Sequence, residues 1–336
     1  MTSHKLTQMF LALAALVMMA MSALADPGQV VPSGVVSDQK AGSVLIYNLY
    51  ASSSTDPSKE NTRINITNTD DRDGVFVHLF FVDGGSCSVA DSYICLSKSQ
   101  TTSILASDVD PDTRGYIVAV AVNDDGTPRN FNKLIGDEYV KLASGHAANL
   151  GAEAVEAINP DLILRDGAGA VTFNPFNTAE MTFTLAFDGI HYGLLPRVLA
   201  LDSIASAKDG NDTLLVVNRV GGSLVNGAAS IGTLFGILFD ELESGYSYNV
   251  SANVCQLRAS LSDSFPRTTP RFTNVIPAGS TGWTKFWTTS GNAIMGAAIN
   301  KNASTSATSF NQGHNLHKLT YGASGYTIPV FTAMCS

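Results

Sequence analysis

The chain has 336 residues, of which 45% are hydrophobic and 15% charged, with a formal net charge of −9. The apolar share excludes wholesale disorder, and the acidic balance excludes the basic footprint of a nucleic-acid-binding protein. Globular chains carry about 25% charged residues, so the expected surface is rich in Ser, Thr, Asn and Gly instead.

Met1 to Lys5 is short and weakly basic, and Met9 to Ala25 is almost wholly apolar. The run closes on Ser22-Ala23-Leu24-Ala25 and turns polar at Asp26-Pro27-Gly28. Small residues at −3 and −1 predict a signal peptide over 1–25, cleaved after Ala25. The expected location is secreted, periplasmic or at the cell surface. No other stretch approaches 18 unbroken apolar residues, so no transmembrane helix is expected in the mature chain.

Past the leader, short runs rich in Val, Ile, Phe, Tyr and Thr alternate with Gly, Asp, Asn, Ser and Pro clusters. Val44–Tyr50, Arg63–Thr67, Val75–Val82 and Tyr116–Asn123 read as strands in the first part. Arg63-Ile-Asn-Ile-Thr67 alternates cleanly, which gives one wet face and one buried face. His146 to Ile158 is Ala-rich and free of Pro, with Leu150, Ala154, Val155 and Ile158 at helical spacing, so one short helix is expected before Asn159-Pro160. Ala170–Phe173 and Met181–Phe187 read as a hairpin. Leu214–Asn218, Thr233–Phe239 and Ala293–Ile299 read as strands in the second part.

The two parts line up in order. Ser43-Val44-Leu45 matches Arg197-Val198-Leu199, and Ile64-x-Ile66-x-Asn68 matches Leu214-x-Val216-x-Asn218. Phe80 to Asp83 matches Ile237 to Asp240, Gly115-Tyr116 matches Gly282-Trp283, and Ala121 to Asn123 matches Ala298 to Asn300. An internal duplication is the expectation. A unit of this length suits an antiparallel β-sandwich, immunoglobulin-like or jelly-roll-like. The predicted architecture is therefore all-β: two tandem sandwich domains, 26–145 and 191–336, joined by a connector, 146–190, that holds the helix and hairpin.

Four cysteines, Cys87, Cys95, Cys255 and Cys335, fall in the mature part. Export permits disulfides, and four cysteines allow three pairings. The short spacing favours a local Cys87–Cys95 staple, which leaves Cys255 with Cys335. Paired C-x2-C units are missing, so zinc is a poor reading.

Catalytic templates are missing too: there is no G-x-S-x-G, H-E-x-x-H, Walker or G-x-G-x-x-G pattern. Asp108, Asp110 and Asp112 place carboxylates at alternate positions, the oxygen-ligand spacing that Ca2+ takes, although the mid-loop Gly and terminal Glu of an EF-hand are lacking. Ca2+ is the one cofactor this suggests. An acidic turn is the plainer reading. His78 sits in an apolar strand and reads as a core residue. His314 and His317 could share a metal, but no acidic partner adjoins them in sequence. Asp188 and His191 form the best candidate acid–base pair. Trp283, Lys285 and Trp287 fall on one face of a strand, a possible ligand face for sugar stacking; ordinary packing is the plainer alternative.

The phrases Ile135 to Gly151 and Asn311 to Leu319, with Phe265-Pro-Arg-Thr-Thr-Pro-Arg-Phe272 between them, resemble a group of exported bacterial proteins with a duplicated β-sandwich. The resemblance implies a bacterial source and a recurrent architecture, and it carries no activity or catalytic residue. The resulting expectation is an exported, non-catalytic structural, adhesive or interaction protein of the cell surface. Its partner would be itself, another surface protein or a glycan. The alternative is a carbohydrate-binding protein or glycan-active hydrolase.

Overall fold

The computed structural model describes residues 34–159, 172–173, 181–302 and 310–334. The apolar leader lies outside them. The strands expected above form, Ala170 and Val171 of the hairpin lying outside the described residues, and the chain is all-β, 57% strand and 4% helix.

The strands of the first part are β1 (Val44–Ala51), β2 (Asn61–Asn68), β3 (Val75–Asp83), β4 (Val89–Leu96), β5 (Thr101–Leu105), β6 (Arg114–Val122), β7 (Leu134–Lys141), β8 (Ala147–Gly151) and β9 (Glu153–Val155). A hairpin follows, β10 (Thr172–Phe173) and β11 (Met181–Phe187). The second part has β12 (Leu195–Ala205), β13 (Asn211–Arg219), β14 (Gly222–Ser223), β15 (Gly232–Phe239), β16 (Gly245–Ala252) and β17 (Gln256–Ser260). It ends with β18 (Thr281–Thr288), β19 (Ile294–Asn302), β20 (Phe310–Asn315), β21 (His317–Gly322) and β22 (Ser324–Val330).

These strands make five small sheets. Sheet I runs β4-β3-β6-β1-β9, sheet II β5-β2-β7-β8, sheet III β16-β15-β18-β12-β21, sheet IV β17-β13-β19-β20 and sheet V β10-β11-β22-β14. They are arranged as a five-bladed β-propeller of small sheets, which corrects the expectation of two tandem sandwich domains. The reason lies in sheet V. It combines the connector hairpin with the C-terminal strand β22 and with β14 from inside the second part, so neither part closes on its own. Strand grammar along a sequence reports which segments extend; it does not report how many sheets they share.

Sheet I shows the packing logic. Every residue of β1 is buried, because alternate side chains enter two cores. Leu45 and Tyr47 meet Ile64 and Ile66 of sheet II. Val44 and Ile46 meet Phe183, Leu185 and Tyr326 of sheet V. Phe81 and Phe80 of β3 divide the same way. Sheets III and IV enclose a third core, which includes Leu199, Leu215, Leu238 and Phe286. Sheets II and IV share a fourth, with Val140, Leu150, Val216 and Ile299.

Sheets I and III have the same strand order, with β1, β3, β4, β6 and β9 replaced by β12, β15, β16, β18 and β21. Sheets II and IV correspond in the same manner. Gly115-Tyr116 and Gly282-Trp283 open corresponding strands, β6 and β18. Ala298-Ile299-Asn300 lies on β19, the counterpart of β7, so its sequence match to Ala121-Val122-Asn123 pairs non-corresponding strands.

The connector helix is a second correction. Ala147–Gly151 and Glu153–Val155 are strands, paired to β7 and β1. Ala148 and Leu150 are buried while Asn149 is exposed, a period of two. Helical propensity was weak beside the unpaired edges of β7 and β1, and pairing across the sheet decided the outcome.

Candidate functional site

The outer face of sheet III brings the sequence-predicted Trp283, Lys285 and Trp287 together on β18. Their cross-strand partners on β15 are Phe239, Ile237 and Phe235. Trp283 stacks on Phe239, with ring centroids 4.4 Å apart and planes 9° apart. Trp287 leans on Phe235 at 5.2 Å, and Lys285 Nζ lies 5.9 Å from the centre of the Trp287 ring. Trp283 is 38% exposed and Trp287 is buried. The face is a ladder of four aromatic rings with a cation in its middle row.

Its base is rigid. On the inner side, the Tyr248 hydroxyl lies 2.8 Å from Thr284 Oγ1, which donates to the Ile237 carbonyl. Burial raises the Tyr248 pKa, so the phenol stays protonated. Gly236 is required opposite it, since a Cβ there would stand 2.3 Å from the Tyr248 ring.

The corresponding face of sheet I is covered. Tyr116, Val118, Phe80 and Val82 are buried beneath sheet V. On sheet III, Trp283, Lys285, Ile237 and Phe239 occupy the matching rows, and none of these four is fully buried. The sequence identified the shared side of β18. It missed Phe235 and Phe239, because cross-strand neighbours depend on register between distant segments.

Asp108, Asp110 and Asp112 are not gathered round one point. Asp108 is exposed on a one-turn helix, Ala106–Val109. Asp110 accepts from the Tyr50 hydroxyl at 2.5 Å and from Thr113 at 3.3 Å. Asp112 accepts from the Ser54 amide and hydroxyl, which lower its pKa. Among the described residues no group of three or more His, Cys, Asp or Glu side chains is disposed to hold a metal ion.

His314 and His317 do find an acid. Both Nε2 atoms approach Asp202 Oδ1, at 3.5 and 3.3 Å, across the step from β20 to β21. Asp202 reaches them from a bulge in β12 beside Ser203, whose φ is +49°. Asp188 and His191 pair at 2.6 Å, but the same carboxylate also accepts from the Ile190 and His191 amides and serves as a loop staple. His78 is buried, bonded to Asp91 at 3.0 Å and stacked on Tyr93; burial lowers its pKa.

The disulfide pairing differs from the spacing argument. Cys87 bonds Cys255, 168 residues away, with Cα atoms 5.5 Å apart. Cys95 is also disulfide-bonded, and Cys335 lies outside the described residues. The β3–β4 turn is laid against the chain before β17, with Cys255 and Gln256 amides donating to the Gly84 carbonyl at 2.9 and 3.0 Å. Fold proximity outweighed sequence proximity.

Comparison with protein-family models and with curated proteins finds no match for the chain. Among the described residues, no helix is long and apolar enough to cross a membrane.

Proposed function

We propose that the protein is an exported, non-catalytic adhesive protein that holds a glycan chain on the outer face of sheet III. The carrying observation is an aromatic ladder that is exposed at its Trp283 end. Its counterpart on sheet I is sealed by sheet V, while Trp283 stays exposed beside the Phe239 ring it stacks on. Aromatic faces stack against the apolar faces of pyranose rings, and Tyr and Trp lose little conformational entropy on doing so. Trp283, Lys285 and Trp287 repeat every second residue along a strand, so each lies about 6.7 Å from the next. Trp283 and Lys285 form the accessible end of that row, and Trp287 anchors it from beneath. Export rests on the leader ending at Ala25. The matching strand orders of sheets I and III and of sheets II and IV support an origin by internal duplication.

Co-sedimentation with insoluble cellulose, chitin and peptidoglycan tests this reading. The wild-type protein should pellet with at least one of them, and Trp283→Ala should remain in the supernatant. Equal pelleting of both proteins, or of neither, would overturn it. Concentration-dependent self-association that Trp283→Ala abolishes would reassign the face to assembly.

A further inference from the structure

The two parts of the chain meet at a polar cleft of about 390 Å3. Glu60, Asp83, Asp112 and Arg114 reach it from the first part, and Arg258 of β17 reaches it from the second. A neighbouring hollow of about 210 Å3 shares Glu60, Arg114 and Arg258.

Most charges around the cleft already have partners. Arg114 and Glu60 form a two-pronged pair through both carboxylate oxygens. Asp83 Oδ1 accepts from the Gly85 and Ser86 amides at 2.7 and 3.2 Å. Both Asp112 oxygens accept from Ser54. Arg258 is the exception: it is half-buried, and among the described residues no acceptor lies within hydrogen-bonding distance of its guanidinium. Its N–H donors face the cleft with no protein acceptor, and a planar two-oxygen anion matches their fork.

We propose that this cleft binds a small, polar, carboxylate-bearing ligand of about monosaccharide size, anchored by the Arg258 guanidinium. Burial, and then the neighbouring Arg114 charge, disfavour the Arg258 cation, and Glu60 and Asp83 offset them from a distance. A bound carboxylate adds a counter-charge in direct contact, which neither acid supplies, since neither lies within hydrogen-bonding distance of the guanidinium. The cleft is also preformed. Cys255, three residues before Arg258, is bonded to Cys87 in the turn that carries Asp83 and Gly85. The Gln256 side chain donates to the Gly115 carbonyl at 2.8 Å, fixing β17 against β6.

The test is calorimetric titration of the full chain with D-galacturonate and with D-galactose, which differ at the carboxylate. Galacturonate should bind and galactose should not. Arg258→Met should weaken galacturonate binding about tenfold or more, the usual effect of losing a charged hydrogen-bond pair. Arg258→Lys keeps the charge without the fork and should lie between the two. It carries the test if Arg258→Met fails to fold. Trp283→Ala should bind galacturonate as the wild type does, which separates this site from the face of sheet III. Equal binding of the two sugars, no binding of galacturonate at millimolar concentration, unchanged binding in both Arg258 variants, or loss in Trp283→Ala would each overturn the proposal.

Discussion

Glu138 and Glu153 are carboxyl groups held almost entirely out of water. Glu138 Oε1 accepts the Leu49 amide at 3.0 Å, while its Oε2 has no hydrogen-bond partner among the described residues. Burial raises its pKa well above the carboxylate range. Glu153 pairs with Lys318 at 2.7 Å, yet burial outweighs that attraction and pushes its pKa up to about 7. The sign follows. Below the unfolded value both states keep the proton and nothing is lost. As pH rises, the unfolded chain ionises first, so stability falls until the folded value is passed. The contribution of these two groups to the thermal midpoint should therefore decline between about pH 4.5 and 7, against a rise from buried His78, whose lowered pKa works in the opposite sense up to about 6.5. Glu138→Gln, neutral at every pH, should flatten part of the decline; an unchanged slope would contradict the account. The sequence hid this, because the cover comes from a distant segment. Packing of β7 against β1, which supplies the Leu49 amide, buries the carboxyl. Asn218 makes a related case. It donates to the Asn48 carbonyl at 2.8 Å and accepts from Gln256 at 2.9 Å, all buried. Asn218→Ala would strand these partners, and chemical denaturation should register a loss of about 1–3 kcal/mol.

At the scale of the element, β18 shows how far alternation carries. Its period of two placed Trp283, Lys285 and Trp287 on one side, and the structure keeps them there. What covers that side depends on a sheet built from residues far away, which no local pattern encodes. The face should tolerate change better than the core. Trp283→Ala removes a stacked but part-exposed ring and should cost about 1 kcal/mol or less. Phe286→Ala, one position away and pointing into the third core, should cost about 3–5 kcal/mol. Comparable losses in denaturation would mean that Trp283 is a packing residue. The connector teaches the opposite lesson. Ala147–Val155 carried a weak helical signal, but two open sheet edges offered backbone partners for every second residue. The acidic segment Asp108 to Asp112 was legible as a turn and illegible as a site, since carboxylate spacing along a chain does not fix where the oxygens point.

At the scale of the molecule, the all-β class and the principal strands were readable from composition and periodicity. The sheet count was not, because sheet V draws strands from three separated segments. The Cys87–Cys255 bond closes a span of 168 residues and joins the two parts. Such a closure removes much chain entropy from the unfolded state, so the Cys87→Ser/Cys255→Ser double variant should lose roughly 2–5 kcal/mol in denaturation. Both parts should melt together, since sheet V and the Asn48–Asn218–Gln256 bonds tie one to the other. The central claim is that the outer face of sheet III, exposed at Trp283, is the binding surface. The chain has two tryptophans, and both lie on that face. Intrinsic emission during titration with soluble cello-, chito- and muropeptide-free glycan-strand oligosaccharides therefore reports on it directly. A saturable shift or quench that Trp283→Ala removes is the predicted result. Unchanged emission with an oligosaccharide whose polymer the protein demonstrably pellets with would contradict the account.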